Sequence, residues 1–356
     1  MISEISLKHF RSYKNNTFKF NPGVNIIIGP NASGKTNLLE AILVACEGKS
    51  YRAGDRELIE FKQDNARIEL HTTKKDIRIV FLDNTLSKKT YKINNETFSR
   101  LSLQKRIPVV LFEPNNLSML SGPADLRRQF LDDLLEKTKP GYGNLRRAYR
   151  RTLSQRNNLL KRGDNLVMAQ LFAWDIRLCD QGEQIARYRL ELAQEINKRI
   201  EKVYKNMSGS KASINFGYET IVPIAGYGTT LLHKLEDHIK EDQERGFTAY
   251  GPHREDIAIS INNHPLQVTA SRGEVRSMVL ACKIIEALLI EEIIGVTPIL
   301  LLDDVFSELD VARRDKLTVF LKNYQVFITT TNADALSKNK ANLIDITKPL
   351  ARKRKN

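Results

Sequence analysis

The chain has 356 residues, 41% of them apolar, and a formal net charge of +14. Its length allows two domains, since single cores stop growing near roughly 250 to 300 residues. The composition excludes a membrane span, because the longest apolar run, "TPILLLDDVF", falls far short of the roughly 20 residues a bilayer needs. Cys46, Cys179 and Cys282 are scattered without CxxC spacing, so they read as small buried hydrophobes and not as a disulfide or zinc framework. The opening "MISEISLKHFRSY" lacks the charged start, apolar middle and small-residue site of a secretory signal, which predicts a cytoplasmic protein.

In chain order, residues 1 to about 122 read as short strands, "MISEISLKHF", "NTFKFN", "VNIIIG", "ARIELHTT", "IRIVFLD", "TYKINNETF" and "PVVLF", with one helix after Thr36. This predicts a mixed sheet. From about 125 to 207 the apolar period becomes 3.6 and helices dominate, broken at "KPGYGN" and "KRGDN". Between Arg127 and Arg162 eleven Arg or Lys stand against three acids, a balance of +8. The pairs Arg146/Arg150 and Arg147/Arg151, at i, i+4, place like charges on adjoining stripes of one helix, where they repel unless compensated. Such a face serves either a polyanion, through counterion release, or solvent alone. A helix near 229 to 245 precedes "DIAISINNHPL", whose "NN" predicts a hairpin turn. Next come a long helix from about Glu274 to Gly295, the strand "PILLL", a helix and the strand "YQVFITTT". The tail 348–356, with five bases and no acid, is either a solvated end or a binding element.

The segment "VNIIIGPNASGKTNLLEAIL" carries the strongest chemistry. Gly29, Gly34, Lys35 and Thr36 fit G-x4-G-K-[ST], directly after an apolar strand and before a helix. The loop glycines let backbone N–H groups face phosphate, and the helix start adds its dipole. Lys35 is then the phosphate cation, and the Thr36 hydroxyl the ligand for Mg²⁺. "PILLLDD" supplies the complementary carboxylates: Asp303, at the tip of a doubly covered strand, for the metal, and Asp304 for orienting water. Two aspartates are more than a helix cap needs. Upstream, Ser271, Gly273 and Glu274 open a long apolar helix with a hydroxyl, a bare backbone N–H and a dipole, which reads either as an anion site or as an N-cap.

The order of these segments resembles the ATP-binding cassette ATPases, and "LKHFRSY", "LFEPNNLSMLSGPADLRRQFLD", "YGPHREDI" and "ASRGEVRSMVLACKIIEA" narrow the resemblance to the RecF family of bacterial DNA repair proteins. What this implies is an α/β fold: an ABC-type P-loop ATPase head with a mixed sheet (1–124 plus 248–356) and an inserted, mainly helical lobe (125–247). It also implies an ATP-dependent homodimer with ATP and Mg²⁺ at the interface. Pro30, Asn31, Ala32 and Ser33 complete the phosphate loop, with Arg11 near the nucleotide. The signature Ser271, Arg272, Gly273 and Glu274, together with the loop Ser307, Glu308 and Asp310, is expected to reach the other subunit's nucleotide. Implied partners are DNA, single-stranded and at gapped or junction duplex, with RecR and RecO and, through them, RecA. The place is the cytoplasm, at the nucleoid.

Arg127 and Arg128 either contact DNA with Arg146, Arg147, Arg150 and Arg151, or pair with Asp132 and Asp133 in a structural network. His253 and Arg254 are expected to be structural, and Trp174 to belong to the core of the helical lobe. Two departures from the cassette pattern bear on mechanism. Asp304 stands where many such ATPases carry glutamate, and Thr329, Thr330 and Thr331 stand where many place a histidine. Slow hydrolysis, a switch and not a motor, is the expectation, since each tenfold in rate is only about 1.4 kcal/mol of barrier. A transporter subunit would be expected to carry that histidine and a membrane-coupling surface, and a mere scaffold would not keep these catalytic groups.

Overall fold

The computed structural model describes residues 1–162, 167–331 and 341–347. The basic tail and part of "KRGDN" lie outside the described residues. The chain runs β1 (Ile2–Phe10), β2 (Tyr13–Lys19), β3 (Val24–Ile28), α1 (Lys35–Glu47), β4 (Asn65–Thr72), β5 (Ile77–Asp83), β6 (Lys88–Ile93), β7 (Glu96–Phe98) and β8 (Val109–Phe112). It continues through α2 (Leu117–Ser121), α3 (Ala124–Thr138), α4 (Tyr142–Leu160), α5 (Val167–Ser208), β9 (Ile214–Glu219), α6 (Tyr227–Asp237) and α7 (Ile239–Arg245). Last come β10 (Asp256–Ile261), β11 (His264–Pro265), α8 (Leu266–Thr269), α9 (Arg272–Ile294), β12 (Ile299–Asp303), α10 (Val311–Leu321), β13 (Val326–Thr330) and β14 (Asn342–Asp345). The described residues divide into two compact units, one drawn from Met1–Pro114 and Ile290–Asn356, the other from Asn115–Leu289.

In the first unit the strands sort by pattern. Those that alternate apolar and polar, together with β5, form a six-stranded antiparallel sheet in the order β2-β1-β4-β5-β6-β7. The mainly apolar β3, β12, β13 and β8 form a parallel sheet in the order β14-β3-β13-β12-β8, whose edge strand β14 is half polar. The reason is burial: a parallel strand is covered on both faces, whereas one face of an antiparallel strand meets water. α1 shares a single core with both sheets, in which Ile5, Leu7 and Ile68 come from the antiparallel sheet, Leu39 and Ile42 from the helix, and Ile27, Leu301 and Phe327 from the parallel one. The buried Gln325 amide ties them further, accepting from Ile2 N at 2.7 Å and donating to Ile2 O at 2.7 Å. All three cysteines are buried and free.

The second unit is mainly helical, with a small sheet in the order β11-β10-β9. Asn262 and Asn263 both take positive φ, 51° and 65°, which is the hairpin turn that "NN" predicts. Strand β9 is not among the expected strands, yet Ile214, Phe216 and Tyr218 alternate inward and pair with β10. The single helix expected near 229–245 is two helices, α6 and α7, meeting at His238. Trp174 packs half-buried against Leu159, Leu160 and Leu171. The family motif "YGPHREDI" is structural here: Gly251, at φ 127°, leaves room where a Cβ would meet the Tyr149 hydroxyl at 2.7 Å, and that hydroxyl hydrogen-bonds His253 Nδ1. Burial lowers the His253 imidazole to about 4, so it is neutral at pH 7. Among the described residues no helix is long and apolar enough to cross a membrane.

The same unit buries Glu286 of α9 against two ammonium groups, Lys137 Nζ and Lys283 Nζ, each at 2.9 Å. Burial alone would raise its carboxyl, but the two cations outweigh it and bring it to about 2. A folded value below the unfolded one stabilises the fold fully above the ordinary glutamate range, and that contribution is lost as pH falls from about 4.5 toward 2. Glu286→Gln is therefore expected to cost about 3 kcal/mol at pH 7, with the gap to wild type closing on acidification. Urea denaturation across that range checks it; a gap that does not change with pH would count against the pairing.

Candidate nucleotide-binding site

The site starts where β3 ends. The loop from Gly29 to Gly34 turns the chain sharply, with Ala32 at φ 60° and Gly34 at φ 104°. A Cβ on Gly34 would meet Ser12 Oγ at 2.8 Å, and the Tyr13 hydroxyl donates to Gly34 O at 3.0 Å. α1 begins immediately after, so its unsatisfied N–H groups and dipole face the loop. Lys35 Nζ donates to Gly29 O and Pro30 O, each at 2.8 Å, which curls the loop around the ammonium. Burial pulls the Lys35 pKa down, while Asp304 and Asp303 push it up. Among the described residues Ser33 Oγ is buried within the loop without a hydrogen-bond partner, an exception to the rule that buried polar groups are paired.

The carboxylate half comes from the other end of the chain. β13 lies between β3 and β12, and the register sets Asp303 beside Thr329 and Thr329 beside Ile27. Thr36 Oγ1 donates to Asp303 Oδ1 at 2.9 Å across 267 residues of sequence, and Thr329 Oγ1 donates to the same oxygen at 2.8 Å. The Tyr51 hydroxyl reaches Asp303 Oδ2 at 3.4 Å. Asp304 follows with φ 51°, its backbone N–H donating to Thr329 Oγ1 at 2.9 Å. Residues 31–37, Arg52, Asp303, Asp304, Thr329 and Thr331 together line a cleft of about 260 Å³. A hydroxyl and a carboxylate oxygen side by side suit a hard, partly hydrated cation such as Mg²⁺. Among the described residues no cluster of three or more His, Cys, Asp or Glu offers a rival metal site.

Arg11 does not line this cleft. Its guanidinium is held by the buried Glu40, Nε to Oε2 at 2.9 Å and Nη2 to Oε1 at 3.0 Å. The arginine that does line it is Arg52, which donates to Asn37 Oδ1 at 2.6 Å and to Glu40 Oε2 at 2.9 Å. Burial raises the Glu40 carboxyl, but hydrogen bonds from Arg11, Arg52 and Ser50 outweigh it and hold it below the usual range. Sequence reasoning missed Arg52, Tyr51 and Glu40. The only available signal was the helical phase of Glu40, a carboxylate on an otherwise apolar helix, which demands a cation.

The remaining site segments take local roles in this structure. Ser271 and Glu274 form a capping box at the start of α9: Ser271 N and Oγ both donate to Glu274 Oε2 at 2.8 Å, and Glu274 N donates back to Ser271 Oγ at 3.3 Å. Arg272 is exposed and Gly273 half-buried beside them. Ser307 Oγ donates to Asp304 O at 2.6 Å, and Asp310 caps α10 by accepting from Arg313 N at 2.8 Å. Glu308 lies between them, half-buried.

In the helical unit the basic residues fall into two groups. Arg127 is buried and grips Asp256 with both Nε and Nη2, at 2.8 and 2.6 Å. Arg128 donates to Glu255 O and pairs with Asp125. Arg146 faces Asp132, Asp133 and Glu136 at 3.0, 3.5 and 3.0 Å. The structural network weighed from the sequence for Arg127 and Arg128 is thus present, but with Asp256 and Asp125 in place of Asp132 and Asp133. Arg147 is exposed and bonds Asn144, while Arg150 and Arg151 are exposed and, among the described residues, pair with no carboxylate.

A phosphate loop opening a helix, with a strand-end carboxylate bonded to its threonine in a parallel sheet, defines a P-loop ATPase head of the SMC and cassette class. A solved SMC head bound to ScpA shares this fold at TM-score 0.54 and 16% identity, covering 94% of this chain and 91% of its own. Residues 1–353 match the RecF/RecN/SMC N-terminal domain family, and the chain belongs to the RecF proteins within it. It is 35% identical to the DNA replication and repair protein RecF of Clostridium perfringens, over 94% of both chains. It is 38% identical to that of Streptococcus pyogenes, over 94% of this chain and 93% of that one. A solved recombination mediator protein RecF with ATP in the RecFOR pathway aligns at TM-score 0.84 and 28% identity, covering 98% and 97% of the two chains.

Gly34→Ala places a Cβ against Ser12 in a backbone conformation that costs a non-glycine residue about 1 to 3 kcal/mol. It is expected to weaken ATP binding at least tenfold in calorimetric titration. Unchanged affinity would remove this loop from the site.

Proposed function

We propose that this chain is an ATP-dependent DNA-binding protein of replication, repair and recombination, in which ATP acts as a switch for dimerisation. One observation carries the reading: the 2.9 Å hydrogen bond from Thr36 to Asp303, which joins phosphate loop and acidic strand into one cleft. The names of its RecF relatives, and the solved RecF with ATP in the RecFOR pathway, support it. Gly29 to Thr36 would hold the phosphates, with Lys35 as their cation, and Thr36 and Asp303 would hold Mg²⁺. The bound metal supplies charge neutralisation on the phosphate oxygens. Asp304 orients water, Arg52 joins Lys35 as a cation beside the phosphates, and Arg11 acts through Glu40 by fixing Arg52.

In this reading the head is 1–124 with 248–356, although 115–124 and 248–289 belong to the mainly helical unit by their packing, and 125–247 is the DNA-binding and dimerisation lobe. Ser271 to Glu274 and Ser307, Glu308 and Asp310 act on the nucleotide of a second subunit. Opening the Ser271–Glu274 capping box frees the hydroxyl for phosphate, and because that box is exposed its rupture costs little. Arg147, Arg150 and Arg151 are the direct DNA contacts, while Arg127, Arg128 and Arg146 shape the lobe that presents them. The DNA is single-stranded or gapped and junction duplex, RecO and RecR are partners, and RecA loading is the outcome. The protein acts in the cytoplasm, at the nucleoid.

Sedimentation velocity with and without ATP tests the shared site: wild type dimerises with ATP, whereas Lys35→Met and Ser271→Arg stay monomeric. A dimer formed by the Ser271 variant would exclude it. Hydrolysis without DNA is expected to be slow, because the Asp304 carboxylate is one methylene shorter than glutamate and Thr329, Thr330 and Thr331 stand where many cassette ATPases place a histidine. Phosphate release at motor-like rates without DNA would contradict the switch.

A further inference from the structure

The outer face of the antiparallel sheet carries a pattern that the fold does not require. Along β5, Val80 and Leu82 point into the core, each 1% exposed, whereas Ile77 and Phe81 point outward at 37% and 36%. Ile79 stands between them, half-buried. The strand is therefore apolar on both faces, the mark of a strand meant to be covered twice. It is not an edge, since β4 and β6 flank it. The register sets Lys8, Arg67, Phe81 and Thr90 in one cross-strand row, and Ser6, Glu69, Ile79 and Lys92 in the next. Lys8 and Arg67 are directly opposite, both exposed, and like charges in that relation repel. Of the two cations only Arg67 meets Glu69, at 2.6 Å and near solvent, where a pair contributes little, and the other oxygen of Glu69 is taken by His71 Nε2 at 3.0 Å.

We infer that this face is a platform for single-stranded nucleic acid, with a base stacked on Phe81 and flanked by Ile79, and with phosphates on Lys8, Arg67 and Lys92. Neighbouring strands lie about 4.8 Å apart, so the two cations of the row stand one and two strand spacings from the ring, the reach from a base to its own and adjoining phosphates. An exposed aromatic on an open sheet, bordered by Lys and Arg, is what a sequence-tolerant single-strand site needs. A duplex keeps its bases inside and cannot use the ring. An acidic peptide would satisfy the cations and leave Phe81 and Ile79 uncovered. The inference rests on the DNA-binding reading and assigns the single strand to this sheet, leaving duplex to the arginines of α4.

The test uses the full chain with ATP and Mg²⁺, a fluorescein-labelled oligo(dT) and a blunt duplex, each followed by anisotropy over a salt series. Phe81→Ala is expected to bind oligo(dT) about tenfold more weakly, with duplex affinity and melting temperature unchanged, and Phe81→Tyr to restore it. Lys8→Ala with Arg67→Ala should lower the slope of log affinity against log salt for oligo(dT) by about 1.4. Phe81→Trp should be quenched by oligo(dT) beyond the change in wild type. Wild-type affinity in Phe81→Ala overturns the platform while leaving duplex binding intact. Oligo-glutamate that competes with oligo(dT) at equal concentration overturns it in favour of an acidic protein partner. A wild type that binds neither DNA overturns the function as well.

Discussion

The hydrogen bond between Thr36 and Asp303 depends on one strand. β13 is buried along all five residues and separates β3 from β12, so both halves of the site reach the same sheet edge only if β13 is paired on both sides. Its Thr329 then serves two neighbours, donating to Asp303 and accepting from the Asp304 N–H, which holds the register between them. Such a long insertion between phosphate loop and carboxylate is thermodynamically tolerable. Closure entropy grows only logarithmically with length, and the inserted residues have burial of their own, as the packed α4, α5 and β10 show.

Charge compensation governs the rest of the molecule. Asp132 takes Arg189 through two hydrogen bonds, Arg146 at 3.0 Å and the Tyr142 hydroxyl at 2.5 Å. Burial would raise its carboxyl, but Arg189 and Arg146 keep it below the usual range. The repulsion expected on α4 is thus answered on one stripe, where Arg146 meets three carboxylates, and left standing where Arg150 and Arg151 face water. A count of +8 in the sequence treats these residues alike, whereas the fold separates cations that are spent internally from cations that remain available.

That distinction marks how much was legible. The phosphate loop, the Asp303 strand, the "NN" hairpin and the buried cysteines were readable because each is local: a special backbone conformation, a run of apolar residues, a turn dipeptide. Arg127 on Asp256 and Tyr51 on Asp303 were not, since nothing in either partner's neighbourhood records a contact made across the fold, and for Arg52 on Glu40 the helical phase of Glu40 demands a cation without saying which. Arg11 shows the middle case. Its motif placed it near the site, and the structure puts it one residue removed from the cleft, acting on the carboxylate that also holds Arg52. β9 escaped notice for a related reason: its alternation is short, and only pairing with β10, some forty residues later, gives it a core to face.

The same reasoning applies to what the fold leaves uncompensated. A buried group without a partner, such as Ser33 Oγ, costs stability unless something else supplies the bond. An exposed like-charge pair, such as Lys8 opposite Arg67, costs less but brings the fold no return. Ser33 lies in a loop whose glycines and helix start already fit phosphate, and Lys8 lies in a row with an outward phenylalanine on a central strand. On the proposed reading an anion is the partner in both places, and the surroundings set which kind: a phosphate loop at a helix start for a terminal phosphate, an open aromatic sheet for a chain of them.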